Sequence, residues 1–326
     1  MGFIVPFVVG ALKTAFAGYL VSKAIQWLAP KPELPDFQQD EQAQGVLVNK
    51  QSNNANIPVI YGTRKVGGVR VFLETSGTSN QYLYGAIVLC EGEINNITSI
   101  IVNDSPVTFS ASIANGTTIT SNDSKFGTTI QVQPFFGTDD QIASSLLTTL
   151  NSWTSNHKLS GLCYIAFRFT WDNDIYTGIP NIQAIVQGRK ISTFDASSNE
   201  TTGQFSSNPA FCLLDYLTNT RYGKGIPIGD IDIPSFYSAS QVAITQVTPF
   251  SGGSQINLFD CNAVIDTGQK LIDNTRTLLK GMRGFLPYTQ GKYKLIIETT
   301  GSSVLTLDED NIIGGITVSS ARKNEK

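Results

Sequence analysis

The sequence predicts a β-rich α+β fold. It reads as several small β domains with an inserted α+β domain, preceded by an apolar N-terminal helix. Three observations carry this. Charged residues make up only 15% of the 326, against about 25% in an average soluble chain, while Gly, Ser, Thr and Asn are abundant. Short apolar runs with period-two alternation, bounded by Gly, Asn and Asp, recur between residues 44 and 190. Helix signatures are few and sit at well-marked capping sequences. The length suits two or three domains, by the prior of roughly 100–200 residues each. A net charge of -3 and a pI near 5.3 leave no basic footprint, so attraction to nucleic acid by bulk electrostatics is excluded.

Residues 1–29 are apolar, with Lys13 and Lys23 as the only charged side chains. A bilayer span needs about 20 apolar residues, and the longest uncharged run here is Met1–Leu12. No basic segment precedes it, which disfavours a secretory signal. A helix after Pro6 would put Leu12, Phe16, Tyr19, Leu20 and Trp27 on one side, with Gly10, Ala11, Ala15 and Gly18 allowing close approach. Three readings stand: packing against partner protein, docking on its own chain, or membrane activity. Pro30, Pro32 and Pro35 make 30–43 an extended linker.

Residues 44–94 read as a first β domain. Val59–Tyr61 and Val66–Phe72 are expected strands around Gly62, and Tyr82–Cys90 is a more buried strand ended by Glu91-Gly92. Residues 95–190 read as the inserted or following α+β domain. Ile97–Val102 and Val107–Phe109 suggest a hairpin around Asn103-Asp104-Ser105, and Gly116–Gly127 a polar loop unable to support a core. Thr138 with Gln141 three residues on forms a capping box, and Ile142, Leu146, Leu147, Leu150 and Trp153 fall on one face, predicting a helix. Leu162–Trp171 alternates, with Cys163, Ile165, Phe167 and Phe169 on one side; Ile182–Val186 is a further strand. Ser197–Ser207 is the expected linker.

Residues 191–326 form the last region. Asn208 as N-cap and Pro209 at the first helical position open a helix whose Ala210, Leu213, Leu214 and Leu217 share a face. It can run no further than Arg221-Tyr222, because Gly223, Gly225 and Pro227 follow. Ser235–Ile244 suits a helix and Phe250–Gln255 a loop. A longer helix is expected from Asp266, boxed by Gln269, burying Leu271, Ile272, Leu278, Leu279 and Met282. Phe285–Tyr288 and Tyr293–Thr299 suggest a hairpin, and Ile312–Ser319 a final strand.

Little chemistry is visible. His157 is the only histidine, which excludes a multi-histidine metal site, and it reads as structural. Asp139/Asp140 suit a helix start and Asp172/Asp174 a turn. Glu91 and Glu93, at alternating strand positions about 7 Å apart, would fit glycosidase spacing but lack a visible second shell. Asp308-Glu309-Asp310 lacks the glycine and terminal glutamate of a calcium loop, and Gly62–Gly68 lacks phosphate-loop spacing. Arg221 is expected to pair with Asp215. Cys90, Cys163, Cys212 and Cys261 lie far apart without a CxxC pair and read as buried reduced thiols. The Asn-X-Ser/Thr triplets at Asn96, Asn115, Asn122 and Asn199 are what Ser/Thr-rich loops produce by chance. No catalytic, cofactor-binding or metal-ligating residue, and no cofactor, is assigned.

One run goes beyond these inferences. NPAFCLLDYLTNTRYGKG (Asn208–Gly225) resembles a segment of the tail-tip, or host-specificity, protein J family of long-tailed bacteriophages of the lambda type, where a capped helix runs into an Arg-Tyr-Gly turn. Asn262–Glu298 resembles that family's helix and hairpin; IPVIYGTRKVGG (Ile57–Gly68) and GIPNIQAIVQGRKI (Gly178–Ile191) also resemble such tail proteins. The resemblance implies a non-enzymatic virion protein at the distal end of the tail, assembled in the host cytoplasm. It implies a homotrimeric baseplate hub of tube-like β domains closing the tail tube, adapting it to host-binding parts and gating release of tape measure and DNA. The implied partners are a distal tail protein ring and the tape-measure protein. Contact with the host envelope would go through regions outside this chain, since the family's polypeptide continues further. DNA would pass through the lumen without specific binding. A tail-associated glycan hydrolase and a membrane-active injection component are the competing classes.

Overall fold

The structure, a computed structural model, describes Asn49 and residues 55–299. The readings for 1–29, 30–43, Asp308–Asp310 and Ile312–Ser319 lie outside the described residues. In chain order the longer segments are β1 (Val59–Tyr61), β2 (Thr63–Val66), β3 (Val69–Ser76), β4 (Tyr82–Glu91), β5 (Ile94–Val102), β6 (Ser105–Pro106), β7 (Ile119–Thr120), β8 (Ile130–Phe136), β9 (Leu162–Thr170), β10 (Ile182–Phe194) and β11 (Glu200–Phe205). Helices α1 (Pro209–Thr218), α2 (Ile233–Ala243) and α3 (Leu271–Gly281) follow, interleaved with short pairs. These are β12 (Gln246–Val247) with β13 (Ile256–Asn257), β14 (Ala263–Ile265) with β1, β15 (Gly284–Phe285) with β18 (Ile296–Ile297), and β16 (Tyr288–Thr289) with β17 (Lys292–Tyr293).

Two antiparallel five-stranded sheets share one core. The first has the order β3-β4-β9-β8-β7; the second runs β11-β10-β5-β6, with β2 also on β10. β10 is long enough to serve β2 through Ala184–Gln187 and β11 through Lys190–Phe194 on one side, and β5 on the other. Strict alternation decides which face each residue takes. On β9, Cys163, Ile165, Phe167 and Phe169 enter the inter-sheet core, as the sequence predicts, with Ile87 and Leu89 beside them on β4 and Ile100 and Ala184 on the other sheet. Tyr164 and Ala166 point the other way, into a second layer with Tyr84, Val88 and Phe135.

That second layer corrects the expected helix over Thr138–Trp153. The segment is a succession of turns. Leu146, Leu147, Leu150 and Trp153 are buried as expected, whereas Ile142 is 68% exposed. The cause is a buried glutamine from β8. Gln133 Oε1 accepts from Ser144 Oγ at 2.6 Å and from the Leu146 N–H at 3.2 Å, so these groups are taken before an i→i−4 ladder can form. Short hydroxyl side chains compete with helix in this way. Gln141 likewise turns inward, accepting the Gly137 N–H at 3.2 Å and donating to the carbonyl of Leu162 at 3.1 Å.

Smaller corrections have similar local causes. Val66–Phe72 is not one strand: Gly68, at φ +72°, separates β2 from β3 and sends them to different sheets. The polar loop at 116–127 contributes β7 and buries Ile119 and Phe126. Ser197–Ser207 is no linker, because β11 folds back on β10 across a turn in which Asp195 Oδ1 accepts the Ser197 and Asn199 N–H groups. α3 begins at Leu271, since Asp266 spends its side chain on the Gly268 N–H; Leu271 and Ile272 are exposed and the inward stripe is Asn274, Thr275, Leu278 and Met282. The hairpin after α3 forms as expected, with Phe285 opposite Ile296 and Tyr288 opposite Tyr293.

The third layer is helical. Asn208 accepts the Ala210 N–H at 3.1 Å and Pro209 occupies the first turn, so α1 starts where the sequence places it. Ala210, Leu213, Leu214 and Leu217 are all at most 2% exposed and pack with Val59, Tyr61, Phe236 and Leu278. Asn219 ends the helix in extended conformation; its side chain accepts the N–H groups of Arg221 and Tyr222 at 2.9 and 3.3 Å. α2 begins at Ile233, two residues before the expected Ser235, with Asp232 as its N-cap. Leu214→Ala is expected to cost about 2–5 kcal/mol, as for a leucine whose cavity cannot collapse. Urea unfolding of the variant measures this, and an unchanged midpoint would remove α1 from the core.

Candidate functional site

The end of β4 and the turn after α1 meet at a polar cleft of about 300 Å³, whose charged lining is Glu91, Glu93, Asp139, Arg189, Lys190 and Arg221. Gly92 explains why the two glutamates are not alternate positions of one strand. At φ +84° it breaks the backbone between them, and a Cβ there would lie 1.6 Å from Arg189 Nη1, so only glycine leaves room for the guanidinium. Each glutamate then meets its own cation. Arg221 Nε lies 2.6 Å from Glu91 Oε1 and its Nη2 donates to Oε2 at 3.2 Å, a two-pronged contact. Lys190 Nζ lies 2.6 Å from Glu93 Oε1.

Arg221 therefore pairs with Glu91 and not with Asp215, correcting the local pairing expected from sequence. Asp215 points to the other side of the turn. Its Oδ2 accepts the Tyr61 hydroxyl at 2.5 Å and the Tyr222 hydroxyl at 2.6 Å, and Arg189 Nε stands 3.7 Å away. The Arg189 guanidinium also lies over the Tyr222 ring, 5.0 Å from its centroid. Burial, then the Asp215 carboxylate, holds the Tyr61 hydroxyl well above the ordinary tyrosine pKa, and the same two causes raise Tyr222. Burial works against the Arg189 charge, but Tyr222, Asp215 and their neighbours outweigh it and leave the guanidinium above its ordinary value. The Arg-Tyr-Gly turn closes tightly because a Cβ on Gly223 would meet the Tyr216 carbonyl oxygen at 1.9 Å.

With this geometry in place, the relatives become informative. The chain is 24% identical over 333 residues to baseplate hub protein pb3 of Escherichia phage T5, covering 83% of this chain and 35% of that protein. It is 26% identical over 174 residues to tip attachment protein J of Escherichia phage SECphi27, covering 49% of this chain and 14% of that one. The chain is similar to phage tail-tip and baseplate hub proteins. It spans about a third or less of the length of these two relatives. A solved structure, the virion of a native gene transfer agent particle, superposes with a TM-score of 0.47 at 11% identity, over 96% of this chain and 69% of that one. No protein-family model matches the chain.

The other residues singled out by sequence do not gather in the cleft, Asp139 excepted. His157 accepts the Thr154 N–H at 2.9 Å and packs at a tilt against Trp153, 5.0 Å between ring centres. Asp172 accepts the Asp174 N–H at 2.9 Å, as a turn requires. Gly62–Gly68 is absorbed by β2 and its flanking turns. The Asp215 cluster was not foreseen. Its signal is a lone acid inside an otherwise apolar helix, seven residues before Tyr222.

Removing the acceptor of two buried hydroxyls and the counter-charge of one arginine should hurt more than removing an exposed partner. Asp215→Ala is expected to cost roughly 2–4 kcal/mol, and Lys190→Ala, whose pair with Glu93 is partly exposed on both sides, about 1 kcal/mol; denaturant melts that gave the reverse order would displace Asp215 from its central role. Because the folded state raises the Tyr61 and Tyr222 pKa values, their contribution is full below about pH 10 and declines as pH rises beyond it, where only unfolded chains ionise readily. Alkaline melts of Tyr61→Phe should fall less steeply than those of the parent.

Proposed function

We propose that this chain is a structural hub protein of a phage tail tip: a homotrimer that closes the distal end of the tail tube, adapts it to host-binding parts, and gates release of tape measure and DNA. The observation that carries it is the similarity to baseplate hub protein pb3 over 83% of the chain. The physical character of the molecule supports assembly. Phe250, Ile256 and Leu258 near the β12–β13 hairpin, and Phe285, Tyr288 and Ile296 on the later one, are 39–68% exposed, which is apolar surface suited to protein contacts. The proposed partners are further copies of this chain, a distal tail protein ring and the tape-measure protein.

A non-enzymatic role is part of the proposal. Glycoside hydrolysis needs one carboxyl group free to protonate and a second free to attack or activate water. Glu91 and Glu93 each hold a cation at 2.6 Å, so the cleft reads as a clasp between β4, β10 and the turn after α1.

Sedimentation and negative-stain images of the full chain should give a ring-shaped trimer, and a stable monomer at micromolar concentration would overturn the hub reading. Particles carrying Glu91→Gln with Glu93→Gln should keep any glycan-releasing activity of the parent particle. Loss of that release with the fold intact would favour the hydrolase.

A further inference from the structure

The four cysteines are far apart in sequence, yet the fold brings them together two by two. Cys90 on β4 is the direct antiparallel partner of Cys163 on β9. Opposed antiparallel residues have Cα atoms about 4.5–5.5 Å apart, inside the roughly 4.4–6.8 Å range of a disulfide. Both side chains enter the inter-sheet core, so the register sets the two thiols on the same face of neighbouring strands. Cys212 on α1 and Cys261 before β14 form the second pair, held by neighbouring carbonyls of one segment. Cys212 Sγ donates to the Ser206 oxygen at 3.6 Å and the Cys261 N–H to the Ser207 oxygen at 2.6 Å, and both side chains are buried in the same core. The pairs lie in different cores, so no cross-pairing competes. All four are buried and free.

We propose that these are two latent cross-links, Cys90–Cys163 and Cys212–Cys261, which stay reduced while the protein is in a reducing cytosol and close as intramolecular disulfides when it meets a small-molecule disulfide outside. A single accidental pair of small buried residues would be unremarked. Two pairs that exhaust the cysteines of the chain, one in each core, are a pattern. The first joins the central strands of a sheet, and the second ties α1 to the segment leading into β14. The chemistry is independent of the hub reading, which supplies only the passage from cytosol to the oxidising exterior of a virion.

Burial, then the neighbouring thiol, raises the Cys163 and Cys212 pKa values well above the ordinary cysteine range. Thiolate is scarce, and exchange goes through brief openings of the core, so closure is slow on the scale of assembly. In the first step one cysteine thiolate attacks a sulfur of the external disulfide, forming a mixed disulfide and expelling one thiolate. The neighbouring cysteine then gives its proton to solvent, attacks the protein-side sulfur, and expels the second thiolate. Two S–H bonds are replaced by one S–S bond, and the external disulfide takes up two electrons and two protons to become two thiols.

The test is to incubate the reduced full chain with bis(2-hydroxyethyl) disulfide, alkylate it under denaturing conditions and map its peptides without reductant. The expected result is loss of all four alkylatable thiols, with Cys90 linked to Cys163 and Cys212 to Cys261. Tm should rise by about 5 °C or more and fall back on reduction. Cys163→Ser should retain only the Cys212–Cys261 link; Cys261→Ser gives the converse and serves if the first variant fails to fold. Four intact thiols, persistent reagent adducts, links between the two pairs, or links between chains would each overturn the proposal.

Discussion

The structure depends most on one mostly buried carboxylate. Asp215 is the only charged residue of α1, and its side chain is 14% exposed. A carboxylate taken out of water must recover its hydrogen bonds and charge compensation, or the loss is several kcal/mol. Its partners come from separate elements: Tyr61 at the end of β1, Tyr222 in the turn after the helix, and Arg189 on β10. The charge is satisfied only when the helix layer is seated on the sandwich in one position. Apolar contacts between Leu213, Leu214 and their neighbours supply most of the attraction, but they are tolerant of small shifts. The carboxylate is not, and it converts adhesion into a unique fit.

The clasp at the cleft extends the same logic outward. Glu91 lies at the last residue of β4 and Glu93 just before β5, so each reports on where one strand stops or starts. Arg221 reaches Glu91 from the turn that Asp215 anchors, and Lys190 reaches Glu93 from the strand that carries Arg189. Adjacent Arg189 and Lys190 on β10 are thus divided between an inner cluster and an outer clasp, and Gly92 is the backbone position that lets both exist. The arrangement is internally compensated, each carboxylate of the clasp holding its own cation.

What was legible in the sequence is what is decided locally. β9 was readable because both of its faces are buried and period two assigns every residue to one of them; α1 was readable because Asn208 and Pro209 determine its start within one turn. The misreadings arise where a distant partner outbids a local signal. The capping box at Thr138 is genuine as a pattern, but Gln133 on β8 captures Ser144 and Leu146, and no periodicity within 138–153 contains that fact. Arg221 has Asp215 six residues behind it and Glu91 130 positions away, and the distant glutamate wins because Asp215 is already occupied by two hydroxyls. The thiol pairs were invisible for the same reason: strand register brings Cys90 to Cys163, and spacing along the chain carries no trace of it.

The three-residue strands β1 and β14 show how two cores are made one body. Alternation sends Ile60 into the inter-sheet core while Val59 and Tyr61 face the helices; on the partner strand Val264 goes with Ile60, and Ala263 and Ile265 go with the helices. This small ribbon is therefore a wall common to both cores, with side chains at most 9% exposed on either face. Its strands are about two hundred residues apart in the chain. Closing so long a loop is entropically slow and is repaid only when the contacts on both faces form. Neither core is complete until 263–265 return to β1, so sandwich and helix layer are expected to gain their final packing together.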